Sequence, residues 1–252
     1  MANELHDNVS RVKKANYLGT SIFVGLRAAD AFWQYALLSR SWAAQLVWGL
    51  GGQALPSAGL ASPYHEIITC MAFGSSLKQI VTQLVVSEQE MNPSSAITIA
   101  LFNTAFNTLN SILSVWAVTS FAPPSGRLLE TLQTPMIALA VGAYSVGIFI
   151  EQISELQRTW SKRNPANKGK PYADGLFSLA RHINYGGYTI WRAAYAPISG
   201  GYTWGLLVFT FFFSDFTRRG VPVLDNYLSE TYGEEWNIIK LQVPYRLIPG
   251  VY

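Results

Sequence analysis

The sequence predicts an all-α, polytopic integral membrane protein, and three observations carry that prediction. Charged residues make up only 13% of the 252 residues, against about 25% in a soluble globular chain. Half of the chain is hydrophobic and 13% is aromatic. Apolar runs also recur near the ~20 residues that a helix needs to cross a ~30 Å hydrocarbon core. None of them has the regular alternation of a membrane barrel.

The clearest run is "SSAITIALFNTAFNTLNSILSVWAV", Ser94 to Val118, which has no charge. "MIALAVGAYSVGIFI", Met136 to Ile150, follows Pro135, a residue suited to a first helical turn. Tyr17 to Leu38 spans if Arg27 and Asp30, three apart on one face, turn inward and pair. His65 to Val86 carries Lys78 inside. Trp42 to Ala61 is broken by glycines and Pro56. Leu176 to Ile198 and the short Tyr202 to Phe213 complete the set, giving about six to seven transmembrane helices. The tail from Tyr232 to Tyr252 is too polar to span and reads as an interfacial helix with an extended end.

Several function classes are excluded. The net charge of +3, without a basic stripe interleaved with aromatics, does not suit a nucleic-acid binder. The lone Cys70 rules out an internal disulfide framework and a Cys-rich metal site. His6, His65 and His182 have no partners at ligand spacing, so no metal is expected. The polar start "MANELHDNVSRVKKANY" lacks the pattern of a signal peptide. Nucleotide-binding glycine fingerprints are absent.

The basic stretch "QRTWSKRNPANKGKPY", Gln157 to Tyr172, together with Arg218 and Arg219, places that side in the cytoplasm. Arg11, Lys13 and Lys14 pull the N-terminus to the same side. Five spans before the basic loop would put it on the other side, unless Trp42 to Ala61 does not cross.

Polar groups inside the apolar runs are the candidate sites. Asn103, Asn107 and Asn110 share one helix face, continued by Ser114. They read either as bonds between helices or as the wall of a polar substrate cavity. Glu151 and Glu155 share the face at the end of the next helix. The densest cluster is "GLFSLARHINYGGY", Gly175 to Tyr188, with Arg181, His182, Asn184 and Tyr185 within five residues at a helix start. Beside a basic loop, such a cluster suits a polyanion, because Arg forks onto phosphate and helix starts offer N–H groups.

"LQRTWSKRNPANKGKPYADGLFSLARHINYGGY" followed by "YGEEWNIIKLQVPYRLIP" resembles the C-terminal part of the steroid 5α-reductase superfamily, in the branch with an Arg-His-Pro-Asn-Tyr-x-Gly-Glu signature. The resemblance covers roughly the last hundred residues. It implies an endoplasmic-reticulum enzyme that uses NADPH to reduce a carbon–carbon double bond in a steroid-like or other lipid substrate. Residues 135–252 then form the cofactor-binding half and 1–134 the substrate-side helices of one membrane-embedded domain. Carried over by motif, the cofactor residues are Glu155, Gln157, Arg181, His182, Asn184, Tyr185, Tyr188, Arg218 and Tyr232. Glu66 and Tyr64 are the candidates for the catalytic acid, and Asn103, Asn107 and Asn110 for substrate contacts. Expected partners are the lipid substrate and membrane lipids.

Ile183 stands where the family has proline, Glu155 where it has aspartate, and Tyr188 where it has glutamate. Membrane methyltransferases of the isoprenylcysteine type, which use S-adenosylmethionine, share a similar Arg-His motif and tail. They carry paired glutamates where this chain reads "RRGVPVLDNYLSE". A non-catalytic lipid-binding relative is the third alternative.

Overall fold

The computed structural model describes residues 12–56, 62–123 and 126–252. Arg11, His6 and the last five residues of the Trp42 to Ala61 run lie outside them. The described residues are all-helical, and their only extended pairing is an isolated antiparallel bridge between Ala54 and Trp116.

The helices are α1 (Tyr17–Ser39), α2 (Trp42–Gly49), α3 (Pro63–Val81), α4 (Pro93–Val115), α5 (Leu128–Gln133), α6 (Pro135–Arg163), α7 (Ile183–Asp215), α8 (Val221–Tyr232) and α9 (Glu234–Gln242). Local chemistry sets several starts. Pro63, Pro93 and Pro135 occupy the first helical position of α3, α4 and α6, where a missing N–H costs nothing. The Asn16 side chain caps α1 by accepting from the Gly19 N–H at 3.0 Å.

Three helical runs are long and apolar enough to cross a membrane: Pro93–Val115, Pro135–Arg163 and Ile183–Tyr232. Among the described residues, these three runs meet the length and composition of a span, against the six to seven expected from sequence. α2 has eight residues, about 12 Å of helix, and cannot cross. α1 and α3 have the length of a span but less apolar character, because their inner faces are polar.

The last run is not straight. Gly200 (φ −134°, ψ 18°) and Gly201 (φ 79°, ψ 176°) leave helical geometry. The positive φ at Gly201 is one that glycine adopts without a Cβ clash. Side chains then meet in pairs centred on this break. Tyr185 stacks on Phe216 at 4.6 Å and Tyr188 meets Phe212 at 5.3 Å. A Cβ on Gly205 would lie 2.8 Å from Pro197 Cγ. The chain thus folds back as a helical hairpin, with limbs 183–199 and 202–215.

The chain divides into two compact units. Unit 1 comprises Ser145–Trp191 and Phe209–Tyr252. Unit 2 comprises the described part of Val9–Tyr144 together with Arg192–Val208.

In unit 2, α1 packs on α3 and α4. Phe23, Ala96 and Ala100 form an apolar core there, flanked by Ile22, Leu26, Met91 and Ile99. A side chain on Gly19 would strike the Met91 carbonyl, so glycine sets the α1 approach at that point. In unit 1, Phe177, Ala180 and Ile183 pack with Ile150, Tyr172 and Leu176, which fixes the start of α7 against α6.

Candidate functional site

In unit 1 the α6–α7 crossing brings the two acidic residues of α6 to the motif residues of α7. Glycines make the approach possible. A Cβ on Gly147 would lie 2.6 Å from the Trp191 nitrogen, and one on Gly187 would lie 2.7 Å from the Glu151 nitrogen. Backbone therefore meets backbone. At this distance the Trp191 indole N–H donates to Glu151 Oε2 at 2.7 Å. One turn further along α6, Asn184 Nδ2 donates to Glu155 Oε1 at 2.7 Å. The other oxygen of Glu155 is paired with Arg158. Gln157 Oε1 accepts from the Leu176 N–H at 2.9 Å and lies against Gly175, whose φ is 59°.

Arg181 and His182 sit just before α7 and tie down the C-terminal segment. Their backbone N–H groups donate to the carbonyls of Tyr245 (3.0 Å) and Arg246 (2.8 Å). Arg181 Nη1 donates to the Val243 carbonyl at 2.6 Å, with Lys240 and Pro244 carbonyls at 3.4 Å. The guanidinium is buried. The sequence favours an arginine that forks onto phosphate, whereas this one clasps backbone carbonyls.

His182 is 1% exposed, its ring between Tyr185 (6.0 Å) and Trp236 (6.2 Å). Asp225 holds Trp236 by accepting its indole N–H at 2.9 Å. Burial pushes the His182 pKa down to about 3, with nearby Arg181, Arg158 and Arg246 adding to the effect and Asp225 opposing it. The ring is neutral near pH 7, so Nε2 is a donor or an acceptor according to tautomer.

Tyr188 lies in an aromatic box, with ring centroids 5.0 Å from Trp191, 5.3 Å from Phe212 and 5.6 Å from Phe216. Lys162 Nζ donates to the Tyr232 hydroxyl at 2.9 Å and lies 4.8 Å from that ring centroid. Arg219 pairs with Asp215 at 2.6 Å, while Arg218 is exposed. Of the cofactor residues named from sequence, Glu155 and Asn184 are in direct contact, and His182 stacks on Tyr185.

Three buried atoms in this cluster lack a hydrogen-bond partner: Arg181 Nε, His182 Nε2 and Asn184 Oδ1. A buried polar atom left unpaired is costly, by about 1–3 kcal/mol. Two of the three, His182 Nε2 and Asn184 Oδ1, belong to neutral groups. Among the described residues, no group of three or more His, Cys, Asp or Glu is placed to hold a metal.

Unit 2 holds Asn103, Asn107 and Asn110 among buried polar side chains. Arg27 pairs with Asp30 at 3.0 Å and donates to Ser76 Oγ at 2.8 Å. Asn107 Nδ2 donates to Asp30 at 2.7 Å, and Gln34 Nε2 donates to it at 2.8 Å. Asn103 Oδ1 accepts from Gln79 and Arg192. Asn110 Oδ1 accepts from the Trp204 indole N–H at 2.7 Å. Each of the three amides thus bonds to another helix.

The Tyr64 hydroxyl donates to the Ile198 carbonyl, while Glu66 is exposed on the first turn of α3. Tyr64 and Glu66 are neighbours on α3 with different environments, and both belong to unit 2.

Arg192, Gln34, Gln79, Trp191 and Trp236 were not singled out from the sequence. Arg192 had a signal, since an arginine inside "YTIWRAAYAPI" is an ionisable group within an apolar run. Gln34 and Gln79 carried the same signal as the asparagines, an amide inside an apolar run, while Trp191 and Trp236 carried none.

Comparison with known proteins gives two findings. The family described as "Protein of unknown function (DUF1295)" matches residues 82–237. A protein of Ustilaginoidea virens named "Probable O-methyltransferase ustE" is 37% identical over 235 residues, covering 88% of this chain and 82% of that protein. The chain therefore belongs to the DUF1295 family, of the steroid 5α-reductase-like group.

Proposed function

We propose that the protein is a membrane O-methyltransferase that moves a methyl group from S-adenosylmethionine to a hydroxyl oxygen of a lipid-like small molecule, with S-adenosylhomocysteine leaving and the hydroxyl proton passing to solvent. The observation that carries this reading is that three arginines of unit 1 are already engaged by the chain itself. Arg181 Nη1 is on backbone carbonyls, Arg158 on Glu155, and Arg219 on Asp215. A ligand with several phosphates calls for arginines presented in fork geometry. S-adenosylmethionine carries no phosphate, and its nucleoside hydroxyls and ring nitrogens can pair with neutral donors and acceptors such as His182 Nε2 and Asn184 Oδ1. The relative named as a probable O-methyltransferase supports the same reading.

His182, Asn184 and Tyr185 would hold the cofactor, with Glu155 and Gln157 beside them. S-adenosylmethionine supplies an electrophilic methyl group when bound. The chain's own residues supply position: Glu155 orients the Asn184 amide, and Tyr185 and Trp236 pack the His182 ring. Arg181 fastens the segment after α9 to the start of α7. Unit 2, with Asn103, Asn107 and Asn110, takes the substrate. The protein resides in the endoplasmic-reticulum membrane, with the basic loop and the cofactor residues on the cytoplasmic side.

An NADPH-dependent reduction of a carbon–carbon double bond in a steroid-like or enone lipid is the second reading. The Glu155–Asn184 pair favours it, because both positions are cofactor contacts by resemblance. Tyr188 in its aromatic box, where those reductases carry glutamate, argues against it.

The test incubates purified protein in nanodiscs with methyl-labelled S-adenosylmethionine and a lipid extract of the source organism. Label in an organic-soluble product, lost in Asn184→Ala, is the expected result. Absence of transfer together with NADPH oxidation by enone lipids would replace this reading with the second.

A further inference from the structure

The orientation of one buried amide in unit 2 is fixed by a chain of hydrogen bonds. Asn103 Nδ2 donates to the Ile99 carbonyl at 2.7 Å, so Asn103 Oδ1 is the acceptor that faces α3. Gln79 Nε2 donates to that oxygen at 2.8 Å, and Arg192 Nη2 donates to the same oxygen. Arg192 Nη1 donates to Asn107 Oδ1 at 3.3 Å. Reversing the Gln79 amide would set two carbonyl oxygens against each other. Gln79 Oε1 is therefore an acceptor, and it is buried without a partner on a residue only 8% exposed. Such an acceptor is unfavourable unless a donor arrives.

We propose that Gln79 Oε1 receives a hydroxyl of the substrate, so that unit 2 selects an apolar molecule bearing a phenol or alcohol. The inference rests on the reading of unit 2 as the substrate side. A ketone, an ether or a carboxylate has no hydrogen to give and leaves the acceptor unpaired. A site built to bond a hydroxyl discriminates strongly against the analogue that lacks it. The methyl ether of the same hydroxyl loses this contact, so the site tells a substrate hydroxyl from its methylated form. Asn103 and Arg192 act by holding the Gln79 amide in this orientation.

The test measures binding of 2-naphthol and 2-methoxynaphthalene to the full chain in nanodiscs, without cofactor, referenced to empty nanodiscs. The expected result is about tenfold tighter binding of 2-naphthol. Gln79→Leu and Gln79→Met should each bring 2-naphthol to the affinity of the ether and leave the ether unchanged. The methionine variant keeps the side-chain length if the leucine variant fails to fold. Equal affinities in the wild type, or no saturable binding of either probe, would overturn the proposal. A preference that survives both substitutions would assign the acceptor to a bound water only, and would also overturn it. Since no cofactor is present, failure of S-adenosylmethionine to bind would sink the methyltransferase reading and leave this result standing.

Discussion

Asn184 Nδ2 donates to Glu155 Oε1 at 2.7 Å, joining the first turn of α7 to the C-terminal half of α6. Because the other oxygen of Glu155 carries Arg158, the carboxylate fixes which way the Asn184 amide faces and leaves Oδ1 as the open acceptor. Glu155→Ala should lower stability by about 1–3 kcal/mol, since it strips a buried amide of its charged partner. It should weaken S-adenosylmethionine binding by about tenfold or more. Thermal unfolding and ligand titration on the same preparation check both effects.

His182 makes stability depend on pH in a definite direction. Its folded pKa is lowered to about 3 from the ordinary 6.5. Between these values the unfolded state binds the proton and the folded state does not. Stability from this group is thus present above pH 6.5 and is lost as pH falls toward 3, with a slope approaching ~1.4 kcal/mol per pH unit. His182→Gln should flatten that decline between pH 6.5 and 4, read from the midpoint of chemical unfolding at each pH. An unchanged slope would mean that the ring is protonated in the folded state.

The α6–α7 crossing depends on the absence of side chains. A Cβ on Gly187 would lie 2.7 Å from the Glu151 nitrogen and 2.8 Å from the Gly147 carbonyl oxygen. Gly187→Ala should therefore cost about 1–3 kcal/mol, despite its better helix propensity. Gly142→Ala, with nothing within 4 Å of the added Cβ, should be neutral or stabilising. Comparing the two melting temperatures separates packing from propensity.

Arg27 and Asp30 are both fully buried and paired at 3.0 Å. Asp30→Ala leaves a buried guanidinium without that partner and should cost about 3–5 kcal/mol. The double variant Arg27→Leu/Asp30→Leu should recover part of that loss, because no lone charge remains. Yield and unfolding in detergent test the order of the three proteins.

The helical content and the apolar runs long enough to cross a membrane were legible because composition and run length report directly on the solvent a chain is built for. The Arg27–Asp30 pair was legible too, because both residues lie three apart on one helix. Asn103, Asn107 and Asn110 were visible as one face, but their partners were not. Asp30, Gln79, Arg192 and Trp204 come from other helices, and that pairing is set by tertiary packing. Arg181 shows the same limit more sharply. Its residue type and neighbours point to phosphate, while the structure places its Nη1 on the Val243 carbonyl. The hairpin at Gly200–Gly201 was foreshadowed by two separate apolar runs, although the reversal itself depends on the φ of Gly201.

The most direct test of the central claim is equilibrium binding of S-adenosylmethionine and of NADPH to the wild type and Asn184→Ala in nanodiscs. Saturable S-adenosylmethionine binding, weakened about tenfold or more by the substitution, with NADPH bound far more weakly, is the predicted result. NADPH binding that Asn184→Ala abolishes, with no response to S-adenosylmethionine, would contradict the account.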